Sequence, residues 1–249
     1  MLRIVLIGCV ISCFCAEKEE ETSHSLWDYH PLHLAGNAMY IGKASVDAPE
    51  GGHLFFHKQS VVVTMLLPVS ATSYFFPHVG WNGFKLDWSE NPKFHETHFN
   101  YMQFGLMFYT TAVEKWRWIL RADYNMDLAH FTRAGTYGLF SGLLWGAHEI
   151  NERWHYHVGV MGYVGLKGDI MYPVIGIDYS PDTHWVFQAI FPIDYSIKYK
   201  LGSHWKFSAK IRPLKERFRA GSHEPQPKPI FNYSSVGAEL NIEYEIPMR

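Results

Sequence analysis

The residues best suited to chemistry are histidines and charged side chains. The chain has 15 His. His155-Tyr156-His157 sets two imidazoles on one face of an extended segment, the spacing a metal pair requires. His30 and His33, His53 and His57, and His95 and His98 are further near pairs. A zinc site needs a third ligand held in place, and no spacing names one. His155 and His157 therefore read as polar groups of a lumen or rim, and no metal or other cofactor is expected. Nucleophilic chemistry has a thinner basis. Ser141, Ser208 and His148 supply the types for a serine–histidine hydrolase acting on lipid, but no G-x-S-x-G elbow surrounds any serine. The sequence carries no phosphate-binding glycine loop, dinucleotide fingerprint or paired-carboxylate signature. An enzyme of lipid or glycan stays an alternative, and a non-enzymatic role is favoured.

The charged residues gain meaning from the elements that carry them. Trp116 to Asp127 alternates strictly: Trp116, Trp118, Leu120, Ala122, Tyr124 and Met126 fall on one face, and Arg117, Arg121, Asp123 and Asn125 on the other. Successive side chains of a strand point to opposite sides, so this is an extended segment with one apolar and one polar face. Ser235 to Ile246 repeats the pattern, with Glu239 and Glu243 on its polar side. So do Asp194–Leu201, with Lys198 and Lys200, and Trp205–Arg212, with Lys206, Lys210 and Arg212. Trp154 to Met161 and Tyr101 to Phe108 alternate as well. Weaker or more continuous runs cover Leu32 to Ala44, Leu54 to Val69, Ala71 to Trp88, Thr136 to Ala147, Met171 to Tyr179 and Trp185 to Phe191. Turn chemistry separates the runs at Asn151-Glu152-Arg153, Ser180-Pro181-Asp182-Thr183, Pro192-Ile193 and Gly202-Ser203. No capped amphipathic helix of three turns is predicted. Ala220 to Phe231, with three prolines, reads as a long loop. The sum is about twelve antiparallel strands, ten being possible. A meander of that size removes its edges by closing, so an up-and-down β-barrel is expected over residues 17–249.

Composition narrows the setting. Of 249 residues, 47% are hydrophobic and 18% charged, too apolar for a disordered chain. A net charge of -2 excludes a broadly basic nucleic-acid binder. The start has the grammar of a cleaved secretory signal: Met1-Leu2-Arg3, an apolar run from Ile4 to Cys15, then Glu17-Lys18-Glu19-Glu20-Glu21. Residues 1–16 are assigned to it. All three cysteines, Cys9, Cys13 and Cys15, lie inside it, so the body would hold no disulfide and no thiol nucleophile. Val10-Ile11-Ser12-Cys13 also resembles a lipobox, which would acylate Cys13. Export without disulfides points to a bacterial envelope.

Alternation alone does not say which face is inside. A soluble barrel hides its apolar face, and a membrane barrel turns it to lipid. Three features favour the membrane. Trp116, Trp118, Trp154, Tyr156, Trp185 and Trp205 open apolar faces while Tyr124, Tyr199 and Tyr244 lie near their far ends, as expected of aromatics at two membrane interfaces. Glycines fall on polar faces at Gly105, Gly138, Gly142, Gly146, Gly159 and Gly165, which would make room in a lumen. Basic residues on two late strands precede acidic ones on the last, so charges could pair across a lumen.

Gly176-Ile177-Asp178-Tyr179-Ser180-Pro181, then Trp185, Phe191-Pro192 and Tyr195-Ser196-Ile197-Lys198-Tyr199, give a turn, a Trp-led strand, a corner and a Tyr-rich strand in that order. This resembles a family of uncharacterised bacterial outer-membrane β-barrel proteins, with the match strongest in the last third of the chain. The resemblance implies a barrel in the outer membrane and gives no catalytic residue. The end Pro247-Met248-Arg249 departs from the terminal aromatic by which assembly machinery reads many such barrels. The expected role is porin-like solute passage or envelope structure, with outer-membrane lipid and the barrel assembly machinery as partners. A soluble or lipid-anchored barrel holding an apolar ligand is the other alternative.

Overall fold

A computed structural model describes residues 32–46, 52–88, 95–166, 168–202, 204–221, 224 and 230–244. The expected signal segment 1–16 with Cys13, and the tail from 245 to 249, lie outside the described residues, as does most of the Pro-rich loop. The described chain is all-β: β1 (Leu32–Val46), β2 (Gly52–Met65), β3 (Leu67–Ser70), β4 (Ser73–Trp88), β5 (His98–Thr110), β6 (Trp116–Asp127), β7 (Leu139–Asn151), β8 (Trp154–Gly165), β9 (Ile170–Tyr179), β10 (Trp185–Phe191), β11 (Asp194–Leu201), β12 (Trp205–Arg219) and β13 (Ile230–Tyr244). A 3-10 turn at Phe131–Arg133 and the four-residue helix α1 (Ala134–Tyr137) sit between β6 and β7.

Every ladder is antiparallel and, apart from β2 with β4, joins neighbours in sequence. Both β2 and β3 pair with β4, running end to end past Leu66, so the sheet is twelve positions wide. None of the described ladders joins β1 to β13, so the sheet is not closed into the ring that the sequence suggests. It is nonetheless strongly curled. Phe218 on β12 packs on Phe84 of β4, with ring centroids 4.5 Å apart, and on Phe99 of β5 at 5.0 Å. Strands far apart in sheet order thus meet across an enclosed interior.

Two ends differ. At one, tight connections follow residues 70, 110, 151, 179 and 201. Local side chains shape them: Asn151 Oδ1 accepts the amides of Arg153 and Trp154 at 2.9 and 3.1 Å. Asp182 Oδ1 accepts those of His184 and Trp185 at 2.7 and 3.0 Å. Such Asx turns offer the backbone a local bond where the ladder stops, and each launches a Trp-led strand. At the other end lie the longer connections after β4, β6 and β12, with the short β8–β9 loop and the Phe191-Pro192 corner.

Candidate lumen site

Alternation along each strand now has a direction. Asp123 on β6 is 7% exposed while its neighbour on the other face, Leu120, is 53% exposed. His157 is 3% exposed beside Val158 at 42%, and Ser196 is 4% exposed beside Ile197 at 46%. On the described strands polar side chains point into the curl and most branched aliphatics point out, with Leu86, Val174 and Ile190 the buried exceptions. A water-facing sheet would place them the other way round.

One buried carboxylate is the hub of a hydrogen-bonded group. Asp123 accepts from Arg121 Nε at 2.7 Å and Nη2 at 3.2 Å, and from Gln103 Nε2 at 3.0 Å. His78 Nε2 lies 2.6 Å from Asp123 Oδ1, and His78 Nδ1 faces the Phe76 carbonyl at 3.4 Å. Gly105 lies under this cluster. A methyl group there would run into His78 and Asp123, so the close approach requires a residue without a side chain.

A second cluster sits nearer the tight turns. Trp145 Nε1 donates to His157 Nδ1 at 3.0 Å. The indole is a donor only, so Nδ1 is the accepting nitrogen. His157 Nε2 lies 2.9 Å from Asp178 Oδ2. His157 thus takes a hydrogen bond from Trp145 and lies against the Asp178 carboxylate, although Nε2 makes no hydrogen bond. Among the described residues no group of three His, Cys, Asp or Glu is arranged to hold a metal. Ser141 and His148 also separate. Ser141 lines the interior, whereas His148 lies outside against Trp116 and Tyr156.

Register places the charged positions read from the sequence. Lys206 stands opposite Glu243, and Lys210 opposite Glu239. Lys200 is opposite Lys206, Lys198 opposite Ser208 and Arg212 opposite Gly237. Opposite charges therefore occupy facing positions on β12 and β13. Arg117, near the tight-turn end of β6, is exposed.

Two placements differ from the sequence reading. Antiparallel pairing puts Tyr199 beside Trp185 and Tyr244 beside Trp205. Both tyrosines therefore sit at the same end as the tryptophans. That end carries one belt: Trp116 stacks on Trp118 at 4.9 Å and meets Tyr156 edge-on at 5.4 Å, Trp154 stacks on Tyr179 at 4.3 Å, and Trp185 meets Tyr199 at 4.5 Å. Of the named aromatics, Tyr124 alone lies toward the loop end, 4.3 Å from the Phe140 ring. The glycines also divide. Gly105 and Gly159 face inward, but Gly146 faces outward, where a Cβ would meet the Trp118 ring. Gly142, between inward Ser141 and Leu143, faces outward as well.

The loop end is covered, which the sequence did not indicate. Phe56, Phe84, Phe99, Tyr101 and Phe218 form a buried aromatic cluster there. Above it, the Glu224 carboxylate accepts the amides of His95 at 2.7 Å and Glu96 at 2.5 Å, and Glu96 Oε2 accepts the amide of Gly221 at 2.6 Å. These bonds clasp the β4–β5 loop to the β12–β13 loop. Burial pushes the Glu96 carboxyl above its ordinary range, partly offset by the Gly221 amide, with Asp127 and Glu224 adding to the rise and His130 opposing it. Buried Tyr137 stacks on His130 at 4.0 Å, and Arg219 lies over the Tyr137 ring at 5.8 Å. Below the cover remains a cavity of about 360 Å³ walled by Lys58, Arg121, Asp123, Ser141, Tyr163 and Arg217 among others.

No family model matches the chain. It is 23% identical over 192 residues to an uncharacterized protein of Chlamydia pneumoniae, covering 71% of this chain and 60% of the relative. It is 22% identical over 193 residues to one of Chlamydia trachomatis, with the same coverage. A third, from Chlamydia muridarum, is 22% identical over 147 residues, 58% of this chain and 46% of the relative. The chain thus spans at most 60% of the length of these relatives, and it is similar to uncharacterized chlamydial proteins.

Proposed function

We propose that the chain is a bacterial outer-membrane β-barrel with an envelope role, its lumen blocked at the loop end rather than open as in a general porin. The inverted faces carry this reading. An apolar exterior with a hydrogen-bonded polar interior suits lipid outside and a lumen inside. Closure would bring β1 and β13 together as the last pair; both run fifteen residues and show exposed leucines outward. The belt of Trp and Tyr at the tight-turn end suits one headgroup layer. Folding would need outer-membrane lipid and the assembly machinery as partners. The similar proteins are bacterial, as the reading requires. A soluble barrel with an apolar ligand fits less well, because its interior should be apolar. A lipid hydrolase built on Ser141 and His148 fits poorly, since the two lie on opposite faces.

Planar-bilayer recording tests the proposal. The wild type should give currents near the leak of a protein-free membrane. Replacing Phe84 and Phe218 together by alanine should produce stepwise openings, and adding K206A and K210A should shift the reversal potential toward cation preference. Wild-type openings as large as those of the double alanine variant would contradict the blocked lumen. An unchanged reversal potential would contradict the inward placement of the two lysines.

A further inference from the structure

The covered cavity holds a guanidinium whose setting is built with care. Arg217 donates to the Gly168 carbonyl through Nη1 at 2.5 Å and to the Leu166 carbonyl through Nη2 at 3.2 Å. Both partners lie in the β8–β9 loop, and that loop is shaped for the purpose. Leu166 is 3% exposed and adopts φ 51°, a left-handed conformation that a branched residue rarely takes. Gly165 has φ 122°. At Gly168 a Cβ would come within 2.5 Å of Arg217 Nη2, so only glycine leaves the guanidinium its place.

Carbonyls satisfy N–H groups without neutralising a charge. The other charges on the wall do not neutralise it either. Asp123, the cavity's carboxylate, already accepts from Arg121, Gln103 and His78. The described ion pairs give Arg217 no carboxylate partner. Arg121 is taken up by that carboxylate, and Arg217 Nε is buried with no hydrogen-bond partner. The Arg217 charge is therefore left over on the wall, and low-dielectric walls strengthen its field. The cavity floor is apolar, formed by Phe84 and Phe218.

We infer that this cavity is a binding site for a small organic anion, whose carboxylate or phosphate meets Arg217 while its apolar part lies on Phe84 and Phe218. The inference rests on the barrel reading only for the route of entry, from the tight-turn end. A guanidinium fixed in a fork is suited to a planar or tetrahedral oxyanion, and about 360 Å³ falls within the range of small-molecule sites.

Isothermal titration on the full chain, folded in detergent micelles, tests it with phenyl phosphate as probe. Phenyl phosphate should bind at least tenfold more tightly than phenol or inorganic phosphate, and its affinity should fall as sodium chloride is raised. Arg217→Gln should weaken binding at least tenfold. Because that variant also loosens the β8–β9 loop, Phe84→Leu provides a second reading, with the preference for phenyl phosphate over inorganic phosphate expected to fall several-fold. Equal binding of phenol, equal binding of inorganic phosphate, no binding by the wild type, or unchanged affinity in both variants would each overturn the site. The same samples are run unboiled and boiled on a gel. A heat-shifted barrel without binding removes the anion site and leaves the membrane reading. Binding by a protein that needs no detergent does the reverse.

Discussion

Asp123 shows what a single buried carboxylate does in this interior. It collects donors from β4, β5 and β6, so removing it strands three side chains at once. Asp123→Ala should destabilise the protein by about 3 kcal/mol, since an uncompensated buried group costs more than the bond it made. Asp123→Asn keeps the shape and part of the accepting capacity and should cost less. Guanidinium unfolding in detergent measures both, and a change within 0.5 kcal/mol, about the scatter of a neutral surface substitution, would show that the cluster is incidental. None of this was legible beforehand. His78 and Asp123 are 45 residues apart in sequence, and only the ladder register over Gly105 brings them together. The polar character of Arg121 and Asp123 was legible, because period two sorted them from Leu120 and Ala122.

Among the elements, strands were readable and their ends were not. Trp116–Asp127 was read with the bounds that β6 has. Tyr199 and Tyr244 were placed at the wrong end because alternation within a strand says nothing of how the neighbour runs. Gly142 and Gly146 were given the wrong face because a glycine reports no polarity, so β7 offered little phase to read. The clasp of Glu96, Glu224 and Gly221 joins loops more than 120 residues apart and left no local signal. It makes the cover sensitive to pH. Glu96 has a folded-state affinity for its proton above the unfolded value near 4.5. Its contribution is therefore fully present below about pH 4.5 and is lost as pH rises through the raised folded value. Hydrogen exchange at the loop amides should slow as pH falls through that window once the intrinsic rate is divided out. Glu96→Gln should flatten the response. A slope unchanged in that variant would assign the effect to another group.

For the molecule as a whole, the face inversion outweighs every local feature. Exposing leucine, valine and isoleucine along most strands to water would leave an apolar surface far larger than a soluble monomer carries. Lipid removes that penalty. The two unpaired ladders of β1 and β13 would present long open edges, a standing template for association, and closure removes that too. The fold class was legible because twelve alternating segments in a row admit few arrangements. Closure was not, because it depends on a contact between the two ends of the sheet that no local pattern encodes. Membrane barrels that close keep their shape in a denaturing detergent until heated. The most direct measurement is to refold residues 17–249 into detergent and compare unboiled with boiled samples on a denaturing gel. The account predicts a mobility shift on boiling, β-rich circular dichroism, and precipitation when detergent is withdrawn. A protein that folds and stays soluble in plain buffer, with no shift, would contradict it.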